Sequence, residues 1–165
     1  MRSTFSVLVE NNPGVLARVA GLFSRRGYNI ESLAVSRTDD PTISRMTIVV
    51  ESDKDVLEQV TNQLRKLVDV IRVRDITSDP HVDRELVLIK VNADSTTRGE
   101  IMQIAEIFRA RIVDVGDYTC IIEVTGDEGK IDAIENAFKS FGIIELVRTG
   151  EVAMQRGVQT VLAED

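Results

Sequence analysis

Two segments of the chain carry apolar residues at the spacing of an amphipathic helix. The spacing i, i+3, i+4 and i+7 places such residues on one helical face. In the first half these residues are Leu16, Val19, Ala20, Leu22 and Phe23. The same pattern returns 85 residues later as Ile101, Ile104, Ala105, Ile107 and Phe108. The chain therefore repeats itself, and we predict helices over about 14–25 and 97–110.

Each predicted helix lies between strands. Alternating apolar residues, which are typical of strands, precede the helices as Phe5, Val7 and Val9 and as Val87, Ile89 and Val91. A second helical pattern, Leu57, Val60, Leu64 and Leu67, returns 74 residues later as Ile131, Ile134, Phe138 and Phe141. The pair Gly116-Asp117 predicts a tight hairpin. Further strands are predicted at about 30–36, 44–51, 68–75, 112–115 and 143–148.

Each half therefore predicts the order strand–helix–strand–strand–helix–strand, which is the ferredoxin-like arrangement. The predicted fold class is α+β, with two such βαββαβ domains in tandem. We expect an N-terminal domain at 1–76, a polar linker at 77–83, and a C-terminal domain with a tail at 84–165. Domains of about 75–80 residues have marginal cores, so we expect a homodimer.

The composition narrows the range of partners. The 165 residues include 27 acidic and 20 basic side chains, a net charge of −7, which disfavours nucleic acid and anionic membranes. No apolar run approaches the roughly 18 residues of a membrane span, and the N-terminus lacks the layout of a signal peptide. We therefore expect a soluble cytoplasmic protein.

Few residues are available for catalysis. The single histidine, His81, lies in a turn-like stretch, where a solvated linker residue is expected. The single cysteine, Cys120, lies in an apolar run, where a buried thiol is expected, and it has no partner for a disulfide within the chain. Glycine-rich phosphate-binding motifs are absent. We predict no catalytic residues and no metal site, although folding could still bring two carboxylates together.

The turn before the first helix is a candidate ligand site. Asn12 suits the N-cap, and Pro13 suits the first helical position, where its missing N–H group is not needed. Gly14 would let another group approach the backbone. The N-terminus of the helix then offers free N–H groups and a positive dipole to a carboxylate. A helix that is merely well capped would show the same pattern.

Asn29 is the second candidate, at the start of the second strand. Its amide could hold an ammonium group and a carboxylate together, although a plain turn residue is the alternative. Hydrogen bonds to a charged group contribute about 1.5–3 kcal/mol, as does burial of a Val or Leu side chain. Such terms reach about micromolar binding only if the site is largely preformed, and a dimer interface would supply its missing walls.

The chain resembles a known family along its whole length. The turn Asn11-Asn12-Pro13-Gly14 is shared with amino-acid-binding ACT domains in general, whereas its continuation at 21–33 is far more specific. Together they resemble the small regulatory subunits of acetolactate synthase, also called acetohydroxyacid synthase. The segments that carry the resemblance are 10–19, 21–33, 44–50, 63–70, 84–86, 106–110 and 148–150.

This resemblance implies a regulatory function. The first half would be an ACT domain that binds a feedback effector, valine or another branched-chain amino acid, between paired ACT domains of a dimer. The second half would be an ACT-like domain. The chain itself would be non-catalytic and without cofactors. It would bind and activate a separate large catalytic subunit that carries thiamine diphosphate, Mg²⁺ and FAD.

The resemblance also implies which residues bind the effector. Carried over by position, the leading contacts are Asn11, Gly14 and Asn29. The rest of the pocket would be Asn12, Pro13, Val15, Leu16 and Ile30. The second half departs from the motif at 96–99, so no effector site is assigned there. Candidates to face the large subunit, unless they are solvated surface charges, are Arg25, Arg26 and Arg45.

Two other functions would suit the same fold. An acylphosphatase-like enzyme would need an arginine in the loop after the first strand, where this chain has Glu10-Asn11-Asn12. A free-standing ACT-domain amino-acid sensor that acts on a different target is the stronger alternative. The two regulatory functions differ in whether the chain changes the turnover of the large subunit.

Overall fold

The computed structural model describes residues 1–162, except for the side chain of Lys54. It divides the chain into two compact units. The first unit comprises residues 1–82 together with 151–162, and the second comprises residues 83–150. The last residues of the predicted tail, 163–165, lie outside the described residues.

The first unit has the predicted order of helices and strands. Its sheet has the strand order β2-β3-β1-β4, and the three neighbouring pairs are antiparallel. The core lies on the face that the helices cover, where Phe5, Val7 and Val9 of β1 are fully buried. The elements are β1 (Arg2–Glu10), α1 (Val15–Arg25), β2 (Ile30–Arg37), β3 (Ile43–Glu51), α2 (Lys54–Leu64) and β4 (Val70–Asp75).

The second unit repeats this arrangement with the strand order β6-β7-β5-β8. Together the units confirm the predicted α+β class of two ferredoxin-like domains. The elements are β5 (His81–Asn92), α3 (Arg98–Ile107), β6 (Arg111–Val115), β7 (Thr119–Gly126), α4 (Glu128–Phe138) and β8 (Ile143–Arg148). A short 3₁₀ helix, Lys139–Phe141, follows α4.

The structure ends the linker earlier than the sequence predicts. β5 begins at His81, so 81–83 form part of a strand. His81 is partly buried rather than fully solvated. Its Nδ1 donates to the carbonyl oxygen of Asp79 at 2.7 Å, since that oxygen can only accept.

The chain after residue 150 differs most from the predicted division, which placed it with the second half. Strand β9 (Val152–Gln155) packs with the first unit, on the sheet face opposite the helices. There Arg45 Nη2 donates to the carbonyl oxygen of Ala153 at 2.7 Å, and the Ala153 N–H donates to Thr47 Oγ1 at 3.4 Å. The physical reason is that this face carries buried polar side chains, Thr4 and Thr47 among them, and buried polar groups require hydrogen-bond partners.

Arg45 is therefore held inside the first unit. Its contact with Ala153 leaves it half buried, and that burial lowers the pKa of its guanidinium below the usual value. The structure thus weakens the suggestion that Arg45 faces another protein.

Cys120 is the free thiol of the chain and is 0 % exposed, which confirms its predicted burial in a strand. We expect it to resist thiol reagents until the second unit unfolds, because only an accessible thiolate reacts. Labelling should follow the same denaturant dependence as the circular dichroism of the chain. Rapid labelling of the native protein would contradict this burial.

Candidate functional site

The turn that follows β1 is held by the loop between β2 and β3. The side chain of Asn11 donates from Nδ2 to the carbonyl oxygen of Pro41 at 2.9 Å and accepts from Ser44 Oγ at 3.1 Å. Its backbone N–H donates to the carbonyl oxygen of Thr42 at 2.7 Å. Asn11 therefore fixes the turn, and its amide keeps one further donor and one further acceptor site for a ligand.

Helix α1 begins one residue later than the predicted start. Its N-cap is Gly14, which adopts φ 82°, so the assignments of Asn12 to the N-cap and of Pro13 to the first helical position are wrong. The reason is that the chain enters the helix through a left-handed residue, a conformation that glycine adopts without steric cost. Asn12 instead donates from Nδ2 to Glu10 Oε2 at 3.0 Å.

This arrangement leaves the positive end of α1 open. Within the described part of the chain, no side chain caps this helix. The Val15 N–H already donates to the carbonyl oxygen of Asn12, at 3.4 Å. The next N–H groups of α1 have no acceptor inside the helix, so they stay available to an external one. A carboxylate is well suited, because it accepts several hydrogen bonds and is attracted by the helix dipole.

Arg18 adds a positive charge at the same place. Its Nε donates to Asp69 Oδ2 at 2.6 Å, and its Nη1 lies 3.2 Å from the position that a Cβ of Gly14 would occupy. The carboxylate of Asp69 is largely buried, which fixes the guanidinium beside Gly14. The sequence reasoning missed Arg18, although its position four residues after Gly14 places it one helical turn away on the same face.

The two apolar residues that begin α1 face different environments. Val15 is buried in the core of the first unit, so its side chain does not line a ligand site at the turn. Leu16 is 44 % exposed and offers an apolar wall beside the turn. Pro13 is exposed.

Asn29 lies at the other end of the sheet. It precedes Ile30, the first residue of the edge strand β2, and its side chain is exposed. Ile30 pairs with Val50, which also pairs with Ser3 at the start of β1. The turn lies beyond Glu10, at the end of β1, and a strand rises about 3.3 Å per residue, so roughly 20 Å or more separates the two places. One chain therefore does not bring Asn29 together with the turn.

The corresponding turn of the second unit is held by a carboxylate of the chain itself. Asp94 Oδ1 accepts the backbone N–H groups of Thr96 at 2.8 Å and of Thr97 at 3.0 Å, just before α3. It also accepts the Thr96 hydroxyl at 2.6 Å. The carboxylate of Asp94 therefore satisfies the N–H groups that precede α3.

The same hydrogen bonds predict an unusually acidic side chain. The hydroxyl of Thr96, followed by the backbone N–H groups of Thr96 and Thr97, lowers the pKa of Asp94 to about 2. A lowered pKa in the folded state stabilises the turn above about pH 4, and this stabilisation is lost as the pH falls through about 2. Carboxyl NMR titration should show this pKa, and an Asp94→Ala variant should lack that part of the pH dependence. A titration near pH 4 would contradict the hydrogen bonds.

Residues 1–162 offer neither a cluster of metal ligands nor a membrane-spanning helix. No group of three or more His, Cys, Asp or Glu side chains is placed there to hold a metal ion. No helix of this range is long and apolar enough to cross a bilayer.

Both units match models of known protein families. A family model described as the small subunit of acetolactate synthase matches residues 84–157. Another, described as an AHAS small subunit-like ACT domain, matches residues 5–72.

Individual relatives agree with these matches. A probable acetolactate synthase small subunit of Archaeoglobus fulgidus is 59 % identical over 157 residues, which cover 95 % of this chain and 98 % of that protein. The acetolactate synthase small subunit of Mycobacterium leprae is 52 % identical, over 93 % of this chain and 91 % of that protein. The crystal structure of the small subunit from Thermotoga maritima superposes with a TM-score of 0.86 at 41 % identity, over 95 % of this chain and 98 % of that one. This chain therefore belongs to the family of acetolactate synthase small subunits.

Proposed function

We propose that this chain binds and activates the large catalytic subunit of acetolactate synthase and makes it sensitive to valine or another branched-chain amino acid. The observation that carries this proposal is the open, glycine-entered start of α1, with the guanidinium of Arg18 beside it. A free amino acid supplies the carboxylate that such a site accepts. Its branched side chain would pack on Leu16, which is partly exposed.

The site that we propose needs two copies of the chain. β2 is an edge strand, runs parallel to β1, and ends at Arg37, which pairs with Ser44. Ser44 donates to Asn11, so this end of β2 lies beside the turn. If two copies pair their β2 strands antiparallel about a twofold axis, the strand of the second copy begins where that of the first ends. Asn29 and Ile30 of the second copy would then approach the turn of the first.

This geometry gives the regulation a physical basis. An effector held by two chains would favour the dimer arrangement in which both parts of the site meet. A coupling free energy of about 1–3 kcal/mol would change affinity for the large subunit by about 5- to 150-fold. In this proposal the chain is non-catalytic, and thiamine diphosphate, Mg²⁺ and FAD belong to the large subunit. A cytoplasmic location stays a prediction of the sequence.

An activity assay tests the proposal. The turnover of the large subunit is measured with and without this chain, while valine, leucine and isoleucine are titrated. We expect the chain to raise turnover and one of the three amino acids to reverse that increase. Unchanged turnover, combined with amino-acid binding by this chain alone, would favour a free-standing sensor that acts on a different target.

A further inference from the structure

Glu151 brings a buried carboxylate to the first strand of the chain. Its side chain is 7 % exposed, and its Oε2 lies 2.6 Å from Arg2 Nη2. Its Oε1 accepts from Thr4 Oγ1 at 3.4 Å. Both partners lie at the start of β1, nearly 150 residues before Glu151 in the sequence. Glu151 is therefore anchored at the end of the sheet from which β1 starts.

The backbone of Glu151 reaches the edge strand at the same end. Its N–H group donates to Ser32 Oγ on β2 at 2.7 Å. The pairing of β2 with β3 is irregular here, because Ile30 pairs with Val50 and Ser32 pairs with Val49. Glu31 is thus the extra residue of a bulge, and its carboxylate lies 3.6 Å from Arg2 Nε. Glu151 and Arg2 therefore hold the bulge.

A bulge sets the direction in which a strand continues. Asn29 and Ile30 immediately precede this one, so their placement depends on how it is held. We propose that Glu151 is a positioning residue for the effector site. Its backbone N–H holds Ser32, its carboxylate holds Arg2, and together these contacts direct Asn29 and Ile30. This inference rests on the proposed function, because it assumes that Asn29 contacts the effector.

The coupling between the Glu151 contact and effector binding is reciprocal. If Glu151 favours the effector-binding arrangement of β2, then the bound effector must stabilise the contact between Glu151 and β2 by the same free energy. Adding the effector should therefore slow amide exchange at residues 151–155 as well as at the start of β2. A role confined to stabilising the sheet would show no such response.

The test compares Glu151→Gln and Ser32→Ala in the full chain. Glu151→Gln removes the charge that pairs with Arg2, and Ser32→Ala removes the oxygen that accepts the Glu151 N–H. For each variant we expect faster amide exchange at residues 29–32 and valine binding weakened by about 2- to 30-fold. The two contacts hold the same bulge, so the loss of affinity in the double variant should be smaller than the sum of the two single losses. Gln155→Ala is the matched control, since Gln155 lies in the same segment but donates to Asp79 instead.

Two results would overturn the inference. One is that both variants lose thermal stability while they bind valine as the wild type does. The other is unchanged amide exchange at residues 29–32. If the wild type binds no branched-chain amino acid, the proposed function fails, and the exchange measurement alone still decides whether Glu151 positions β2.

Discussion

A Gly14→Asp variant is expected to lose effector binding while it keeps its fold. Gly14 has φ 82°, and a Cβ at this residue would lie 3.2 Å from Arg18 Nη1. The new carboxylate would therefore pair with Arg18 and lie at the open start of α1, where the acid group of the effector is proposed to bind. Aspartate tolerates the left-handed conformation better than most residues, so the cost to the fold is on the order of 1 kcal/mol.

Calorimetry with valine measures the effect. The loss of a hydrogen bond to a charged group costs about 1.5–3 kcal/mol, which is about 10- to 150-fold in affinity. Repulsion between like charges adds to this loss. The matched control is Gly157→Asp, because Gly157 has φ 72° and an added Cβ there meets no atom within 4 Å. This control introduces the same charge and a similar backbone strain elsewhere, and we expect it to bind normally. Unchanged binding by Gly14→Asp would place the acid group at another site.

The start of α1 shows which features the local sequence pattern predicts and which it does not. The apolar spacing gives the helix and its buried residues, because periodicity reports directly which face packs. It does not give the first residue of the helix. Asn12 and Pro13 both suit a helix start, but the positive φ of Gly14 moves the start to Val15. In the second half, the repeated pattern places Ile107 on the apolar face of α3. The structure leaves Ile107 77 % exposed, because α3 ends at this residue.

Contacts between distant parts of the sequence account for the other differences between the predicted and the observed structure. The composition near residue 150 does not indicate a linker, so the sequence predicts one domain with a tail at 84–165. The contacts of Arg45 with Ala153 and of Arg2 with Glu151 join residues more than 100 positions apart, which no periodic pattern reports. Arg18 is likewise placed by its ion pair with Asp69, 51 residues away.

The position of Asn29 depends on the pairing register of β2 with β3. The sequence indicates an edge strand and a residue with hydrogen-bonding capacity, but it does not show which end of the sheet that residue reaches. The pairing of Ile30 with Val50, and of Val50 with Ser3, shows that Asn29 lies at the end of the sheet where β1 begins, and not at the end where Glu10 lies. A site that uses both Asn29 and the turn must therefore combine two chains, and this requirement can be tested without a structure of the complex.

Mixing two defective variants is expected to restore effector binding. Asn29→Ala alone should bind no measurable valine, since it lacks the amide that would hold the effector, whereas Asn62→Ala, on the exposed surface of α2, should bind normally. In a mixed dimer of Gly14→Asp with Asn29→Ala, one site carries both changes. The other combines the unchanged turn of one chain with the unchanged Asn29 of its partner.

Random reassortment of the two variants makes half of the dimers mixed, so about one quarter of all sites should be intact. Calorimetry of an equimolar mixture, unfolded and refolded together, should therefore show valine binding at about that stoichiometry and with wild-type affinity. Each variant refolded alone provides the control and should show none. A site built within one chain predicts no recovery, because every chain then carries one of the two changes. Failure of the mixture to bind valine, with mixed dimers verified by native mass spectrometry, would thus refute the shared site.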